Sequence, residues 1–295
     1  MARVPVLLNS NAGAVHADPK IGERIAETFA RAGIEADVEL LESGKCATRC
    51  RALAERGDGL VVVGGGDGTI SAAASVLAGT KSLLGILPLG TLNHFARDLG
   101  LPLKIEEAVR LIARRPQRQV DLGQMNERLF INNSSIGLYP LMLVNRDLQR
   151  MRLGRSKRLA MIVASLRTLW RFGSRRLILT VDDQRARVDT PLLFVGNNDY
   201  RIDLGAPGRR ESIERGSLSV FVMRKKTRSG FIAASMRALF NRTRADDMVK
   251  IEHVEQLVVS GSRRSLAVSL DGELLRAELP LVYRIRKRAL RVVAP

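Results

Sequence analysis

The chain has 295 residues, of which 45% are hydrophobic and only 4% aromatic, and its formal net charge is +18. This length allows two domains, and the lack of any run of about 18 apolar residues excludes an ordinary membrane-spanning helix. Such an excess of positive charge predicts a negatively charged partner, namely nucleic acid, anionic lipid or polyphosphate.

Features of the termini and cysteines predict a cytoplasmic location. The first apolar stretch, Val4–Leu8, becomes polar at once, so we expect no signal peptide. Cys46 and Cys50 lie four residues apart in a predicted helix, which disfavours a structural disulfide and indicates a reducing compartment. The three histidines lack the spacing of metal ligands, so we expect no zinc site.

The first third of the chain alternates strands with helices. The predicted strands are Val4–Leu8, Ala36–Leu41, Leu60–Val63, Ser82–Pro88 and Arg118–Leu122, and the predicted helices are Ile21–Ala32, Ala47–Glu55, Ser71–Ala78 and Ile105–Ala113. This alternation predicts a parallel sheet with helices on both faces. Ligands of such sheets bind at the carboxyl ends of the strands. We therefore expect Asn9–Gly13, Gly64–Thr69 and Gly90–Asn93, which all follow strands, to meet at one edge.

The stretch from Leu60 to Ile70 carries the strongest functional signal. An apolar strand leads into Gly64-Gly65-Gly66-Asp67-Gly68-Thr69, and small, helix-favouring residues follow. Glycines let a ligand approach the backbone closely, and a helix N-terminus attracts phosphate. Because Asp67 would repel a bare phosphate, its carboxylate predicts an intervening metal ion or donor hydroxyl. The alternative is a tight turn with a solvated aspartate. The spacing matches neither a P-loop nor Gly-x-Gly-x-x-Gly.

From about Arg128 onward, short strands follow one another with few helices between them. The predicted strands are Leu129–Asn133, Leu177–Val181, Leu192–Gly196, Leu218–Met223, Gln256–Ser260, Leu266–Leu270 and Leu281–Ile285. This pattern predicts an antiparallel β-sandwich. Two segments differ from it: Asn145–Arg175 has a helical pattern, and a basic tail from Arg284 to Arg291 follows the last strand.

Three motifs resemble the diacylglycerol kinase catalytic-domain family, within the wider set of kinases that share a Gly-Gly-Asp-Gly signature. They are Gly65–Gly68, the block Pro88–Arg97 (Pro-Leu-Gly-Thr-Leu-Asn-His-Phe-Ala-Arg) and Asp271-Gly272-Glu273, in the family's order. The resemblance implies a Rossmann-like parallel-sheet domain over residues 1–124, to which residues 281–295 return. It also implies a β-sandwich lipid-binding domain over residues 125–280, with a cleft between the two.

The resemblance further implies an ATP-dependent lipid kinase that uses ATP and Mg²⁺ and forms a homodimer. Glu273 would be the general base, Asp271 would orient that base or the magnesium network, and Asp67 would hold Mg²⁺–ATP. The candidate nucleotide-binding residues are Asn9, Ser10, Asn11, Ala12, Gly13, Gly64, Gly65, Gly66, Asp67, Gly68, Thr69, Thr91 and Asn93. The alternative for Asp271-Gly272-Glu273 is a hairpin turn, which would be the first interpretation of Asp-Gly without the other two motifs.

The chain departs from the family pattern at several positions. Ser10 and Ala12 replace a proline and a serine in the first loop, and His94 replaces an aspartate, which weakens any charge network through that position. In Glu214–Leu218, Arg215 stands where the family has an aspartate that helps to hold a structural magnesium ion. A guanidinium cannot coordinate a cation. We therefore expect the charge of Arg215 to stand in for that ion.

A basic segment runs from Arg146 to Arg176. It contains ten arginines and lysines opposed only by Asp147, and its interleaved apolar residues include Trp170 and Phe172. A helix with one basic and one apolar face suits an anionic membrane surface, so we expect a peripheral membrane protein. The alternative is a core-packed helix with a solvated face. No nucleic-acid-binding module is recognisable, so nucleic acid is not an expected partner.

Two other functions remain compatible with these motifs. A soluble-substrate kinase such as an NAD kinase shares the Gly-Gly-Asp-Gly loop, although the block Pro88–Arg97 and the basic segment argue against it. A catalytically weak, membrane-binding relative would explain His94 and Arg215. Phosphotransfer activity would distinguish the lipid kinase from both.

Overall fold

A computed structural model describes residues 3–42, 44–137, 173–199, 212–225, 227, 229, 230, 233, 234, 237 and 247–295. The chain forms two compact units. The first comprises Met1–Leu122, Ser212–Glu214 and Arg286–Pro295, and the second comprises Gly123–Glu211 and Arg215–Ile285.

The first unit is built on a parallel β-sheet. Its strands are β1 (Val4–Asn9), β2 (Ala36–Leu41), β3 (Leu60–Gly65), β4 (Leu83–Pro88) and the end of β16 (Leu281–Val293), in the order β2-β1-β3-β4-β16. Its helices are α1 (Gly13–Ala17), α2 (Ile21–Arg31), α3 (Lys45–Arg56), α4 (Asp67–Leu77), α5 (His94–Asp98) and α6 (Ile105–Arg114). The predicted parallel sheet is confirmed, since β1–β2, β1–β3, β3–β4 and β4–β16 all pair in parallel.

Amphipathic helices cover the faces of this sheet. Helix α2 buries Ile21, Ile25 and Phe29, spaced four residues apart, into the same core as Val109 and Ile112 of α6. Residues at this spacing lie on one face of a helix, so the apolar stripe is removed from water while the opposite face stays solvated. Helices α3 and α4 pack against each other and against β3.

Helix α3 carries both cysteines as buried free thiols, as their spacing predicts. Burial raises the pKa of the Cys46 thiol above its ordinary value. Burial, together with the neighbouring Cys46, raises the pKa of Cys50 from 9.0 to about 12. Both thiols therefore stay protonated in the folded chain at neutral pH.

These shifted thiols should make stability depend on alkaline pH. Above the ordinary thiol pKa, the unfolded chain ionises a group that the folded chain keeps protonated, so the free energy of unfolding should fall as the pH rises. For Cys50 the expected slope is about 1.4 kcal/mol per pH unit until its folded-state pKa is reached. Urea unfolding of the wild type and Cys50→Ala, measured at several alkaline pH values, tests this expectation. If the free energy of unfolding fell equally steeply with pH in both proteins, Cys50 would not be the cause.

The second unit is antiparallel. Its strands are β5 (Gln117–Met125, shared with the first unit), β6 (Arg128–Phe130), β7 (Asn133–Gly137), β8 (Arg175–Val181), β9 (Gln184–Thr190), β10 (Leu192–Asn197), β11 (Leu218–Met223), β12 (Met248–Val254), β13 (Gln256–Gly261), β14 (Ser265–Leu270), β15 (Glu273–Glu278) and the start of β16. One sheet has the order β12-β11-β10-β7-β14-β15. In the other, β9, β8, β13 and β16 pair as antiparallel neighbours.

A shared core contains the fully buried Phe130 and Tyr283, whose rings meet edge to face. The predicted sandwich is confirmed.

Several boundaries differ from the sequence prediction. The predicted strand Leu129–Asn133 is two strands, β6 and β7, and the basic tail after Ile285 belongs to β16. In that tail Leu290, Val292 and Val293 are buried, which explains why the strand continues. The predicted helix Asn145–Arg175 lies outside the described residues, apart from residues 173–175, of which Arg175 begins β8. Among the helices that the structure describes, none is long and apolar enough to cross a membrane.

Candidate active site

The three loops expected to meet at one edge of the first unit do meet there. Asn9 at the end of β1 donates from Nδ2 to Thr69 Oγ1 of α4 at 2.7 Å, and its Oδ1 accepts from the Asn11 backbone N–H at 3.0 Å. The Leu89 backbone N–H, just after β4, donates to the Gly65 carbonyl at 3.1 Å. The carboxyl ends of neighbouring parallel strands therefore lie together, as such sheets require.

The glycine-rich stretch is placed differently from the prediction. Gly64 and Gly65 belong to β3 and are buried, Gly66 is the N-cap residue, and α4 begins at Asp67 rather than near Ser71. A Cβ on Gly64 would lie 2.5 Å from Leu8 Cδ2 and 2.8 Å from Leu89 Cδ1. The absent side chain of Gly64 is thus explained by packing within the sheet.

Gly66 and Gly90 bring the first and second motifs into backbone contact. A Cβ on Gly90 would lie 2.5 Å from the Cα of Gly66 and 2.8 Å from Asn93 Oδ1. Conversely, a Cβ on Gly66 would lie 3.5 Å from the Gly90 Cα, which is an ordinary contact distance. The two loops can therefore approach this closely only when position 90 is glycine.

This asymmetry predicts different effects of alanine at the two glycines. Gly90→Ala should lower the free energy of unfolding by about 2 kcal/mol, because backbone atoms must move apart. Gly66→Ala should cost about 0.5 kcal/mol, since its backbone angles (φ −89°, ψ −179°) suit any residue. Thermal and urea unfolding measure both costs. Equal destabilisation by the two substitutions would contradict the observed packing.

The N-terminus of α4 has the features of an anion site. Its first N–H groups have no partner within the helix, and no side chain of the N-cap residue Gly66 caps them. Asp67 is the first helical residue, and its Oδ1 accepts a hydrogen bond from the Phe95 backbone N–H at 3.3 Å. Asp67 and the start of α5, in the second motif, are therefore linked directly.

The polar residues of the second loop have separate placements. Asn93 is buried with φ +52°, and its amide accepts from the Gly90 N–H at 2.9 Å and donates to the carbonyls of Gly90 and Pro88. Its side chain thus holds the loop in shape. Thr91 is exposed at the loop tip, next to Leu92, which is 59% exposed. Contact of either residue with a nucleotide stays a prediction.

The first loop presents few side-chain groups. Ser10 is half-buried and Asn11 is exposed, whereas Ala12 is buried and Gly13 opens the short helix α1. Gly68 is exposed in the first turn of α4. Contact of any of these residues with a nucleotide also stays a prediction.

In the second unit, Asp271 organises the segment that carries Glu273. Asp271 and Gly272 have φ of +48° and +85° and form the two-residue turn between β14 and β15. The Asp271 carboxylate accepts backbone hydrogen bonds from Ile131 (2.7 Å), Asn132 (2.8 Å) and Asn133 (3.0 Å). Asp271-Gly272 therefore forms a hairpin turn. The same aspartate also binds the hairpin to residues 131–133, at the start of β7.

Glu273 is the first residue of β15 and is exposed. Its backbone pairs with Leu270 of β14, whereas its carboxylate has no hydrogen-bond or ion-pair partner among the described residues. Glu273 begins a strand directly after the turn that Asp271 holds in place. The backbone at Glu273 is therefore fixed, which restricts where its carboxylate can lie. An accessible carboxylate on an ordered turn is chemically suited to accept a proton.

Arg215 lies in a cluster of charges around a buried carboxylate. Its Nη1 lies 2.7 Å from Asp199 Oδ2, and Lys250 Nζ lies 3.7 Å from the other oxygen, Oδ1. Within the described ranges, no group of three or more acidic, histidine or cysteine side chains could hold a metal ion. A cationic side chain lies beside each oxygen of Asp199, so this carboxylate is already neutralised. These residues therefore do not fit the structural magnesium site that the family resemblance implies.

This arrangement predicts stability that depends on Arg215 and not on divalent cations. Arg215→Ala should lower the free energy of unfolding by about 2 kcal/mol, because it removes a charged partner from a carboxylate that is 8% exposed. Chelation by EDTA should leave the melting temperature of the wild type unchanged. A melting temperature that falls on chelation would contradict this expectation.

Sequence reasoning missed two contributors to these sites. Gly90 was part of the recognised block, yet its contact with Gly66 depends on the pairing of β3 with β4, which the motif does not show. The backbone N–H groups that donate to the Asp271 carboxylate lie 138 to 140 positions away in the chain. The positive-φ turn itself was signalled by the Asp-Gly pair.

Comparison with known proteins identifies both halves of the chain. Residues 3–125 match the family model described as Diacylglycerol kinase catalytic domain, and residues 142–294 match the YegS C-terminal NAD kinase beta sandwich-like domain. A protein of Pseudomonas syringae pv. tomato named "Probable lipid kinase YegS-like" is 30% identical over 294 residues, covering 95% of this chain and 92% of the relative. A Chromohalobacter salexigens protein of the same name is 29% identical, covering 79% and 75%.

Solved structures share the fold. A diacylglycerol kinase from Bacillus anthracis str. Sterne superposes with a TM-score of 0.72 at 22% identity, covering 99% of this chain and 97% of that one. Yeast NADH kinase complexed with NADH is more distant, with a TM-score of 0.57 at 12% identity, covering 100% and 84%. At these identities the likeness extends to the fold alone.

Proposed function

Because the chain belongs to the diacylglycerol kinase catalytic-domain family and carries the YegS-type C-terminal domain, we propose that it transfers the γ-phosphate of ATP to a lipid hydroxyl. The observation that carries this proposal is the meeting of three strand ends around the uncapped N-terminus of α4. Such a site supplies backbone N–H groups and a favourable helix dipole for phosphate oxygens.

Asp67 is the residue that would hold Mg²⁺ beside the nucleotide. One of its carboxylate oxygens accepts from the Phe95 N–H, and the other has no partner within the part of the chain that the structure describes. Mg²⁺ in phosphotransfer sites is held by one or two carboxylates together with phosphate oxygens and water, which fits a single aspartate at this position. When bound, the ion would offset the negative charge of the phosphates.

Glu273 is the proposed general base. Its carboxylate would take the proton of the lipid hydroxyl while the hydroxyl oxygen bonds to the γ-phosphorus. The bond from that phosphorus to the bridging oxygen breaks, and ADP leaves with the electron pair. Asp271 acts as a positioning residue, because its three backbone hydrogen bonds hold the turn that precedes Glu273.

Anionic lipid is the proposed partner of the basic chain. A net charge of +18 would concentrate the enzyme at a negatively charged bilayer, where a lipid hydroxyl is available. The segment from Arg146 to Arg176 is the proposed contact, although of its residues only 173–176 are described by the structure. Peripheral association with the membrane follows from the same proposal, whereas a cytoplasmic location and a homodimer stay predictions from the sequence and the family resemblance.

Transfer of label from γ-labelled ATP to an extracted total-lipid mixture tests this function. We expect a labelled product that partitions into organic solvent and requires Mg²⁺. Parallel reactions with NAD⁺ and NADH test a soluble acceptor, and label on a dinucleotide would overturn the proposal. ATP binding without transfer to any lipid would instead support a catalytically weak relative.

A further inference from the structure

Two adjoining cavities in the second unit are lined by none of the residues assigned to phosphotransfer, although Leu274 of the larger one follows Glu273 in β15. One has a volume of about 400 Å³ and the other about 220 Å³. Arg175, Arg263 and Leu266 line both of them. They therefore form one continuous depression, bounded by the start of β8, the loop between β13 and β14, and strand β15.

The polar lining of this depression is positively charged. Arg175 and Arg263 lie at the junction of the two cavities, and Arg276 of β15 lines the larger one. No acidic residue is found among the described residues that line either cavity, and within those residues none of the three guanidinium groups pairs with a carboxylate. Arginines placed together without counter-charges repel one another, so the arrangement favours binding of an anion.

Local contacts orient the exposed Arg276, and the surroundings of Arg175 differ from those of a free side chain. Arg276 Nε donates to Ser265 Oγ at 2.8 Å, which orients the guanidinium while its other N–H groups have no described partner. Half-burial and the nearby charge of Arg263 lower the pKa of Arg175 below its ordinary value. The hydroxyl of Ser174, a residue that lines the smaller cavity, is buried and has no hydrogen-bond partner among the described residues. An anion bound at the junction of the cavities would offset the repulsion between Arg175 and Arg263.

An apolar wall accompanies the arginines. Leu275 and Ile136 belong to the larger cavity, and Leu274 beside them is 45% exposed. Large apolar side chains on a surface mark contacts with apolar ligands or partners. A ligand that suits the whole depression therefore has a compact anionic group attached to an apolar portion.

We propose that this depression, formed by Arg175, Arg263, Arg276 and the adjoining leucines, binds the phosphate group of a phosphate ester. Phosphate has several oxygens that guanidinium groups can bind in pairs, which a single carboxylate cannot offer to three arginines. The same chemistry is found in a phospholipid headgroup and in free phosphate. The site is separate from the proposed phosphotransfer reaction and does not depend on it.

Binding without ATP tests the site, using a matched pair of variants. Arg263→Gln removes a cavity charge, whereas Arg264→Gln removes the same charge from the next residue, which pairs with Glu278 at 3.4 Å outside the cavities. Inorganic phosphate is titrated by calorimetry, and co-sedimentation uses phosphatidylcholine vesicles with and without phosphatidic acid. We expect Arg263→Gln to weaken binding about tenfold, the loss of one charge-assisted contact, and Arg264→Gln to leave it unchanged.

The two probes distinguish the sources of the phosphate. Binding of phosphatidic acid vesicles with sensitivity to Arg263 but no binding of inorganic phosphate supports a lipid headgroup, and binding of both supports recognition of the phosphate alone. Equal losses in Arg263→Gln and Arg264→Gln, or no binding of either probe, would overturn the proposal. Arg276→Gln provides a second variant if Arg263→Gln melts at a lower temperature than the wild type. Glu273→Gln should bind like the wild type, so a failed kinase assay leaves this test intact.

Discussion

Replacement of Glu273 by glutamine should lower kcat for phosphate transfer by about 10³-fold, which is the usual contribution of a positioned general base. Glutamine keeps the size of the side chain but cannot accept the hydroxyl proton. Because the Glu273 side chain is exposed and its carboxylate has no partner among the described residues, we expect the melting temperature and the Kd for ATP to stay at wild-type values. Steady-state kinetics with γ-labelled ATP, thermal unfolding and nucleotide titration give the three readouts.

Glu278 provides the matched control for this substitution. It lies on the same strand, is also exposed and pairs only with the exposed Arg264 among the described residues. Glu278→Gln should therefore keep kcat within about twofold of the wild type, since exposed ion pairs contribute little. An equal loss of kcat in both variants, or a loss of ATP binding in Glu273→Gln, would contradict a role of Glu273 as base.

Asp271→Asn should act through the structure of the turn. The substitution places an NH₂ group against backbone N–H groups that now donate to a carboxylate at 2.7–3.0 Å. Loss of charge-assisted hydrogen bonds, together with the remaining unpaired donors, should lower the free energy of unfolding by about 3 kcal/mol. Activity should fall as well, because the turn positions Glu273. Urea unfolding measures the first effect and turnover measures the second.

Asp182→Asn is a suitable comparison for Asp271→Asn. Asp182 also lies in a hairpin turn with positive φ (+41°), but it is exposed. Its Oδ1 accepts one hydrogen bond, from the backbone N–H of Gln256 at 3.1 Å. We expect its substitution to cost about 0.5 kcal/mol. A mild effect at Asp271, similar to that at Asp182, would show that the three backbone hydrogen bonds do not hold the turn.

Elements with a strong apolar pattern were predictable from the sequence. The strand Ala36–Leu41 and the start of α2 at Ile21 agree with the structure to the residue. Strands β9, β12 and β15 were not predicted, and each lies at an edge of its strand order. An edge strand is paired on one side only, so charged residues are tolerated along it, as in Gln184–Thr190. The alternation that identifies a half-buried strand is then weak.

The site was predictable as motifs but not as geometry. Local spacing indicated a strand, a glycine stretch and a helix near Asp67, and the structure contains all three. Spacing could not show that Gly64 and Gly65 lie inside β3. Residue types do not determine where a strand ends, because its last pairing depends on the neighbouring strands. The anchoring of Asp271 by residues 131–133 depends on tertiary structure alone.

The course of β16 has a consequence for how the polypeptide is made. The parallel sheet of the first unit includes Val292, which pairs with Leu84 of β4, and the Gly79 N–H donates to the Ala289 carbonyl at 2.7 Å. While the ribosome is still translating the intervening residues, β4 exposes an unpaired edge of the kind that promotes aggregation. The first unit is therefore expected to reach its final form only after β16 leaves the exit tunnel. The whole second unit is thus synthesised before the first unit finishes folding.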